Sequence, residues 1–428
     1  MGLHEENSPS LAAARPAMPD GTAHDRKKSV LFVVNTMGRA GAERVLCTLF
    51  SLFDHSNLDI HLLSLIPRGE MFAEVPQTVE ILNKKYKKRS VLSIGGRIAG
   101  IIIVLKSLFK DRYIIKNRKY LMENYRQQHT HLKKLQLDKL FWHAISEAAP
   151  RLSKKYDLAV AFLEGGSCYY VAEHVNAAKK AAFVHVDYEM SGYSPALDEP
   201  YFIKMDKIFC VSNWVRGSFT RQFPQLAHRT FLLRNSVLSD MVLERAELGE
   251  GFDDGFIGIR LLTIARLHPQ KAYDIAIKAM QMLVMEGVTN VRWYAMGEGA
   301  LRPSLQGLID QYGIEDYFKL MGARSNPYPY LKQCDIYVHA THFEGMSIAV
   351  GEALVLKKLI IASNCAGNTE QIENEKTGII IDLSARELAN AIQRMINDKE
   401  LRERLETNLS SHNADNSADI NMLFDMLN

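Results

Sequence analysis

The sequence predicts an α/β protein made of two doubly wound parallel-sheet domains that face each other across a cleft. Three observations carry this. Short, largely apolar runs recur along the 428 residues, as expected of strands buried on both faces. Segments of helical periodicity lie between them. An acidic, Gly-containing stretch, residues 244–256 (ERAELGEGFDDGF), then separates two halves with the same rhythm and reads as an interdomain linker.

Residues 1–28 contain Ala, Pro and Ser but no apolar stretch of signal-peptide type, so a disordered tail is expected. The first domain, 29–243, opens on the β-branched run Val30–Val34. A Gly-containing loop, residues 35–41, and a helical pattern from Ala42 to Phe53 follow, with Val45, Leu49 and Leu52 on one face. Further strands are expected at Ile60–Leu65, Leu158–Leu163, Ala181–Val186, Lys207–Val211 and Thr230–Leu233. The second domain, 257–410, predicts strands at Arg260–Ala265, Val291–Met296, Phe318–Met321, Ile336–His339 and Leu359–Ala362. Helices are expected over 272–286, 300–313, 327–333, 346–356, 368–374 and 385–406. Residues 411–428 form a tail or a last helix.

Composition is that of an ordinary soluble protein, 47% apolar and 24% charged. The five cysteines are irregularly spaced with no CxxC. That argues against a disulfide framework or zinc ribbon and suits a reducing, cytoplasmic compartment. The apolar run Ile98–Leu105 has eight residues, well short of the roughly 20 needed to span a bilayer. Charge is uneven. Between Lys84 and Lys134 stand fifteen Lys or Arg against Asp111 and Glu123. Such a block suits an anionic surface: phospholipid, nucleic acid or a phosphorylated acceptor. The plainer reading is a solvated helical face. No nucleic-acid-binding motif accompanies its aromatics, so no nucleic acid is expected.

Five segments carry candidate chemistry. Thr341–Leu354 (THFEGMSIAVGEAL) follows a strand and opens a helix, with Glu344 and Glu352 in Glu-x7-Glu spacing. Gly345 leaves room for a ligand, and the amides of Met346, Ser347 and Ile348 would face an anion. The two carboxylates can accept hydrogen bonds from sugar and ribose hydroxyls. Arg266 and Lys271 follow another strand, where a guanidinium and an ammonium suit a pyrophosphate. Gly297-Glu-Gly299 is a tight strand-to-helix turn, equally readable as a structural turn or a phosphate neighbour. Gly38 and Gly41, in GRAGAER, allow close approach between the first domain and a ligand held by the second. His185 and Asp187, in FVHVDY, end a strand and can reach the cleft, although a lone strand histidine is more often structural. Each segment taken singly also has a bland reading, as exposed charges or turns.

Together these segments resemble the retaining group 1 glycosyltransferases of family 4, the polysaccharide-biosynthesis type, over most of 29–410 and most strongly over 258–382. The order ArgLeu-x3-Lys, GEG, PYxYLKxCDIYVHATxFEGMS and GEALVLKKLIIASNCAGNTE carries the resemblance. It implies the GT-B architecture of two Rossmann-like domains and transfer of a sugar, with retention, from a nucleotide-sugar donor to a hydroxyl. A UDP-sugar is favoured, with a lipid-linked or growing surface-polysaccharide acceptor. By that resemblance Glu344 and His185 are catalytic, and Arg266 and Lys271 hold the diphosphate. Glu352 holds the ribose, with Gly345, Met346, Ser347, Gly297, Gly38 and Gly41 around the donor and Arg324 near the base. No cofactor or essential metal is implied. The basic window becomes a membrane-docking surface on the cytoplasmic face. Two departures stand out: Ala272 where the family usually has Gly, and Met346-Ser347 where Phe-Gly is more frequent. The alternative is a non-catalytic nucleotide-sugar or carbohydrate-binding subunit. A dehydrogenase is rejected for want of a Gly-rich dinucleotide loop with its acidic partner.

Overall fold

The structure, a computed structural model, describes residues 26–38, 41–83 and 152–428 apart from 192 and 236, with five isolated positions between 84 and 151. Residues 1–25 and nearly all of the basic window lie outside the described residues.

Two parallel sheets form as the apolar runs predict. The first holds β1 (Lys28–Val34), β2 (Leu58–Ser64), β3 (Glu80–Ile81), β4 (Tyr156–Ala161), β5 (Ala177–Val184), β6 (Lys207–Cys210) and β7 (Thr230–Leu232) in the order β3-β2-β1-β4-β5-β6-β7. The second holds β8 (Ile259–Ile264), β9 (Val291–Met296), β10 (Phe318–Gly322), β11 (Ile336–His339), β12 (Leu359–Ser363) and β13 (Ile379–Ile381) in the order β10-β9-β8-β11-β12-β13. In both, the chain builds outward from a central strand in one direction and then crosses over to build in the other. This places a topological switch point between β1 (Lys28–Val34) and β4 (Tyr156–Ala161), and another between β8 (Ile259–Ile264) and β11 (Ile336–His339). Ligands of such sheets lie outside the strand carboxyl ends at these points.

The strands hold because both faces are covered. Every residue from Ser29 to Val34 is buried. Helix Gly41–Leu52 lays Val45, Leu46, Leu49 and Phe50 onto the sheet, and Phe50 meets Phe32 edge-on at 5.3 Å. In the second domain the buried Trp293 donates its indole N–H to Thr263 at 3.0 Å, and Thr263 donates on to the Val338 carbonyl at 2.8 Å. A large core side chain thus leaves no polar atom unpaired.

Several boundaries differ from expectation. β5 covers Ala177–Val184, so His185 lies just past the strand rather than within it. Two short strands, β3 (Glu80–Ile81) and β13 (Ile379–Ile381), were not foreseen. The helix expected over 385–406 is two helices, Ala385–Asn397 and Lys399–Ser411. Asp398 is extended and caps the second by accepting from the Leu401 amide at 2.9 Å. The helix expected over 368–374 is the single turn Ala366–Thr369. Strand β1 already starts at Lys28, and Arg26 pairs with Asp157 at 2.7 Å, so the end of the presumed tail belongs to the fold. Helix Ser239–Ala246 occupies the start of the presumed linker. The rest is fastened to the second domain through Asp254, which pairs with Arg292 at 2.8 Å and Arg260 at 3.3 Å.

The carboxy-terminal segment is more than a tail. After Ser411 the chain returns to the first domain, where Ile420, Leu423 and Met426 are buried in its core. Phe424 meets Phe53 edge-on at 5.3 Å. Asp419 pairs with Arg234 at 3.2 Å, and Asn416 donates to the Asn235 carbonyl at 3.0 Å. The first domain is therefore completed by the last residues of the chain. Leu423→Ala is expected to cost about 2–5 kcal/mol, the usual range for a buried leucine. Denaturant unfolding followed by fluorescence checks this, and an unchanged midpoint would mean that the segment packs loosely.

Candidate functional site

The switch point of the second sheet gathers the charged residues singled out in the sequence. The loop after β8 carries Arg266, exposed at the strand end, and Lys271 at the end of the short turn Pro269–Lys271. Ala272 follows in the left-handed region, φ 44°. That conformation is easier for glycine, so the alanine keeps the turn at some strain. The loop after β11 carries Glu344. Gln270 joins the two loops: its side chain donates to the Phe343 carbonyl at 2.7 Å, and its own carbonyl accepts from Thr341 and His342.

Lys271 is ion-paired with Glu344, both side chains being mostly shielded. His339, buried beneath, lies 3.5 Å from the same carboxylate oxygen. Burial alone would raise the Glu344 carboxyl, but the Lys271 ammonium, with His339, pulls it down to about 2. Burial lowers His339, so its ring is neutral near pH 7. The result is a fixed anion and a fixed cation at one strand end, with Arg266 exposed earlier on the loop that carries Lys271.

Gly345 is required, though by a different neighbour than expected. A Cβ there would lie 2.2 Å from the His185 carbonyl oxygen of the first domain. The missing side chain thus admits the opposite domain's backbone. Gly367 is similar, its Cβ position lying 2.5 Å from the Glu344 carbonyl. Ser347 departs from expectation. Its amide donates to the Gln371 side chain at 2.9 Å, and its hydroxyl caps helix Ile348–Val355 by accepting from Val350 at 3.4 Å. That amide is committed within the protein and does not face an anion. The Met346 carbonyl accepts from Asn235 at 3.3 Å.

Gly297 and Gly299 lie against the backbone of the Arg266 loop. Cβ atoms would sit 1.9 Å from the Ala265 carbonyl and 2.2 Å from the Leu267 carbonyl, so the turn supports the Arg266 loop from below. Arg324 is exposed in the loop after β10 (Phe318–Gly322).

The first domain closes the site from the other side. Gly41 opens helix Gly41–Leu52 close to Ile348, where a Cβ would meet the isoleucine at 3.3 Å. Gly38 lies in the loop before it with space around it. His185 donates its backbone N–H to Glu164 at 3.1 Å. Its ring packs on Phe162 and Phe183, with centroids at 5.1 and 5.9 Å. Burial lowers the ring to about 4, so it is neutral, and its Nε2 is buried with no partner among the described residues. Asp187, held by Trp214 at 2.5 Å and Ser218 at 2.7 Å, is a structural carboxylate.

Glu352 faces the first domain. Arg44 donates to its Oε1 at 2.6 Å, and the Tyr328 hydroxyl donates to the same oxygen at 2.9 Å. Arg44 and Tyr328 had no role in the sequence reading, although Arg44 stands inside the GRAGAER segment. Burial raises the Glu352 carboxyl while Arg44 and Tyr328 pull against that rise. Burial likewise opposes the Arg44 charge, but Glu352 and Tyr328 hold it protonated well above its ordinary range. Glu370 was also missed. It accepts from the Asn213 and Trp214 amides at 2.8 and 2.5 Å, capping helix Asn213–Gln222 across the domain boundary. A carboxylate is well placed against the positive end of a helix.

Residues 258–411 match the family model for glycosyl transferases, group 1. An alpha-D-kanosaminyltransferase of Streptomyces kanamyceticus is 29% identical over 188 residues, covering 42% of this chain and 48% of that protein. A Campylobacter jejuni N-acetylgalactosaminyltransferase, acting by name on a diphospho-undecaprenol-linked sugar, is 25% identical over 173 residues, 40% of this chain and 45% of its own. The chain thus spans about half the length of the curated relatives it matches. Among solved structures, Anabaena HepE in complex with UDP-glucose superposes with a TM-score of 0.65 at 15% identity, covering 93% of this chain and 99% of that one. The fold is GT-B.

The Lys271–Glu344 pair gives an acid-sensitive term in stability. Glu344 is depressed in the folded state, so its contribution is present above the ordinary glutamate range near 4.5 and fades as pH falls toward 2. Wild type should exceed Glu344→Gln by about 3 kcal/mol at pH 7, with the gap narrowing below pH 4.5. Denaturant unfolding across pH 2–7 reads it, and a gap independent of pH would contradict the pairing.

Proposed function

We propose that this chain, whose residues 258–411 match the group 1 glycosyltransferase model and whose described fold is GT-B, moves a sugar from a UDP-sugar to an acceptor hydroxyl with retention. One observation carries the reading: Lys271 and Glu344 pair where the loops after β8 and β11 meet, with Arg266 on the first loop and Glu352 on the helix that follows the second, at the switch point where a nucleotide would lie. The leaving group is a nucleoside diphosphate, so negative charge grows on phosphate as the sugar departs. Fixed cations at that place favour the transition state. Arg266 and Lys271 supply them, and no essential metal is invoked. Lys271 is neutralised by Glu344 in the resting site, which leaves Arg266 as the first cation to meet the diphosphate.

Glu344, ionised and held by Lys271, accepts from donor-sugar hydroxyls. Glu352 accepts from the ribose. His185, neutral and with Nε2 unpaired, faces the sugar near the reacting carbon. The departing phosphate oxygen takes the acceptor proton in a same-face substitution, so no protein nucleophile is assigned. Arg324 lies near the base.

The favoured acceptor is a lipid-linked or growing surface polysaccharide. A relative that by name acts on an undecaprenyl-linked sugar supports this, as does the basic window 84–134. Among the described residues no helix is long and apolar enough to cross a membrane. With the basic window docked on an anionic membrane face, the reading is of a peripheral, cytoplasmic enzyme. Each engaged Lys or Arg adds about 1 kcal/mol near such a surface.

A panel of UDP-, GDP-, ADP- and dTDP-sugars, read by thermal shift and by slow release of the sugar, tests the donor reading. A UDP-sugar should stabilise wild type and lose its sugar. Arg266→Ala should slow that release about 100-fold or more. No response to any nucleotide sugar would refute the reading. For the membrane, cosedimentation should show binding to anionic vesicles and little to neutral ones. Equal binding to both, or none, would remove that part.

A further inference from the structure

The two oxygens of the Glu352 carboxylate are in different states. Oε1 accepts from Arg44 at 2.6 Å and from Tyr328 at 2.9 Å. Oε2 is buried with no partner among the described residues. The residue as a whole is 2% exposed. A buried acceptor left unpaired is costly and is rarely retained without a reason.

Arg44 belongs to the opposite domain, on the first turn of helix Gly41–Leu52. Its guanidinium donates to the Tyr328 hydroxyl at 2.8 Å as well as to Glu352, and it lies 5.8 Å from the Tyr328 ring centre. One terminal nitrogen, Nη2, makes both bonds, so the guanidinium, the Tyr328 hydroxyl and Oε1 form a closed triangle that fixes that oxygen. The neighbouring packing is close. A Cβ on Gly351 would lie 2.8 Å from Val237, so the helix bearing Glu352 has little freedom to turn.

We propose that Arg44 is a positioning residue of the donor site, contributed by the facing domain, which fixes Oε1 of Glu352 so that Oε2 is left to accept from the vicinal hydroxyls of a ribose. This rests on the donor-site reading of Glu352 given above. Nucleotide binding is thereby coupled to domain approach. If the domains part, Glu352 loses the group that orients it. A ligand that prefers the oriented carboxylate draws the domains together by that difference in affinity. Arg44 touches neither the sugar nor the phosphate and acts only through Glu352.

Calorimetric titration of wild type, Arg44→Ala and Arg44→Lys with UDP and with 2′,3′-dideoxy-UDP separates the possibilities. Wild type should bind UDP more tightly than the dideoxy analogue. Arg44→Ala should weaken UDP about tenfold, the scale of a lost charge-assisted bond, and leave the dideoxy analogue unchanged. Arg44→Lys should recover part of the loss. Equal UDP binding by wild type and Arg44→Ala would overturn the proposal. So would equal losses for both ligands, since that marks general damage. If wild type binds UDP and the analogue equally, the ribose role of Glu352 fails together with that of Arg44. If wild type binds no UDP, the donor-site reading itself falls.

Discussion

Lys271 and Glu344 neutralise one another where the two loops of the second switch point meet, and much of the site depends on that pair. It keeps a largely buried carboxylate ionised. It also draws the loop after β11 toward the loop after β8, with Gln270 completing the join. Breaking such a pair by removing one partner leaves an uncompensated charge, a larger loss than the pair's own net contribution. The pair therefore conditions the site more than it stabilises the fold.

Once that loop is set, Gly345 presents a bare backbone to the other domain. The His185 carbonyl takes up the space. Around this contact lie three further links between the domains: Arg44 with Glu352, Glu370 at the start of helix Asn213–Gln222, and Asn235 with the Met346 carbonyl. The carboxy-terminal segment adds a fourth, at a distance from the cleft. Three of these domain contacts, at Gly345, Met346 and Glu352, fall within the short segment 344–352 that also carries Glu344. A ligand entering there would act directly on how the domains meet.

Much of this was legible in the sequence because it follows local rules. Short apolar runs bounded by turn residues suit strands covered on both faces, and thirteen parallel strands in two sheets accord with that. Cations after β8 and a glutamate after β11 had to come close, since the two strands are neighbours. What was hidden depends on long-range contact. Arg44 and Glu352 lie 308 positions apart, and no periodicity links them. The return of residues 420–426 to the first core is equally non-local, and those apolar residues are too few to show a pattern. The Ser347 amide read as free because helix starts usually leave amides unpaired, whereas Gln371, from the next loop, takes it up. The split at Asp398 was legible in principle, since aspartate is a strong helix cap.

On the proposed reading the nucleotide sits at the second sheet's switch point and not at the first's. A crystal structure with UDP bound decides between the two. The diphosphate should lie against Arg266 and Lys271, and the ribose hydroxyls on Glu352. A nucleotide bound instead beyond β1 and β4, with no contact to Arg266, Lys271 or Glu352, would overturn this.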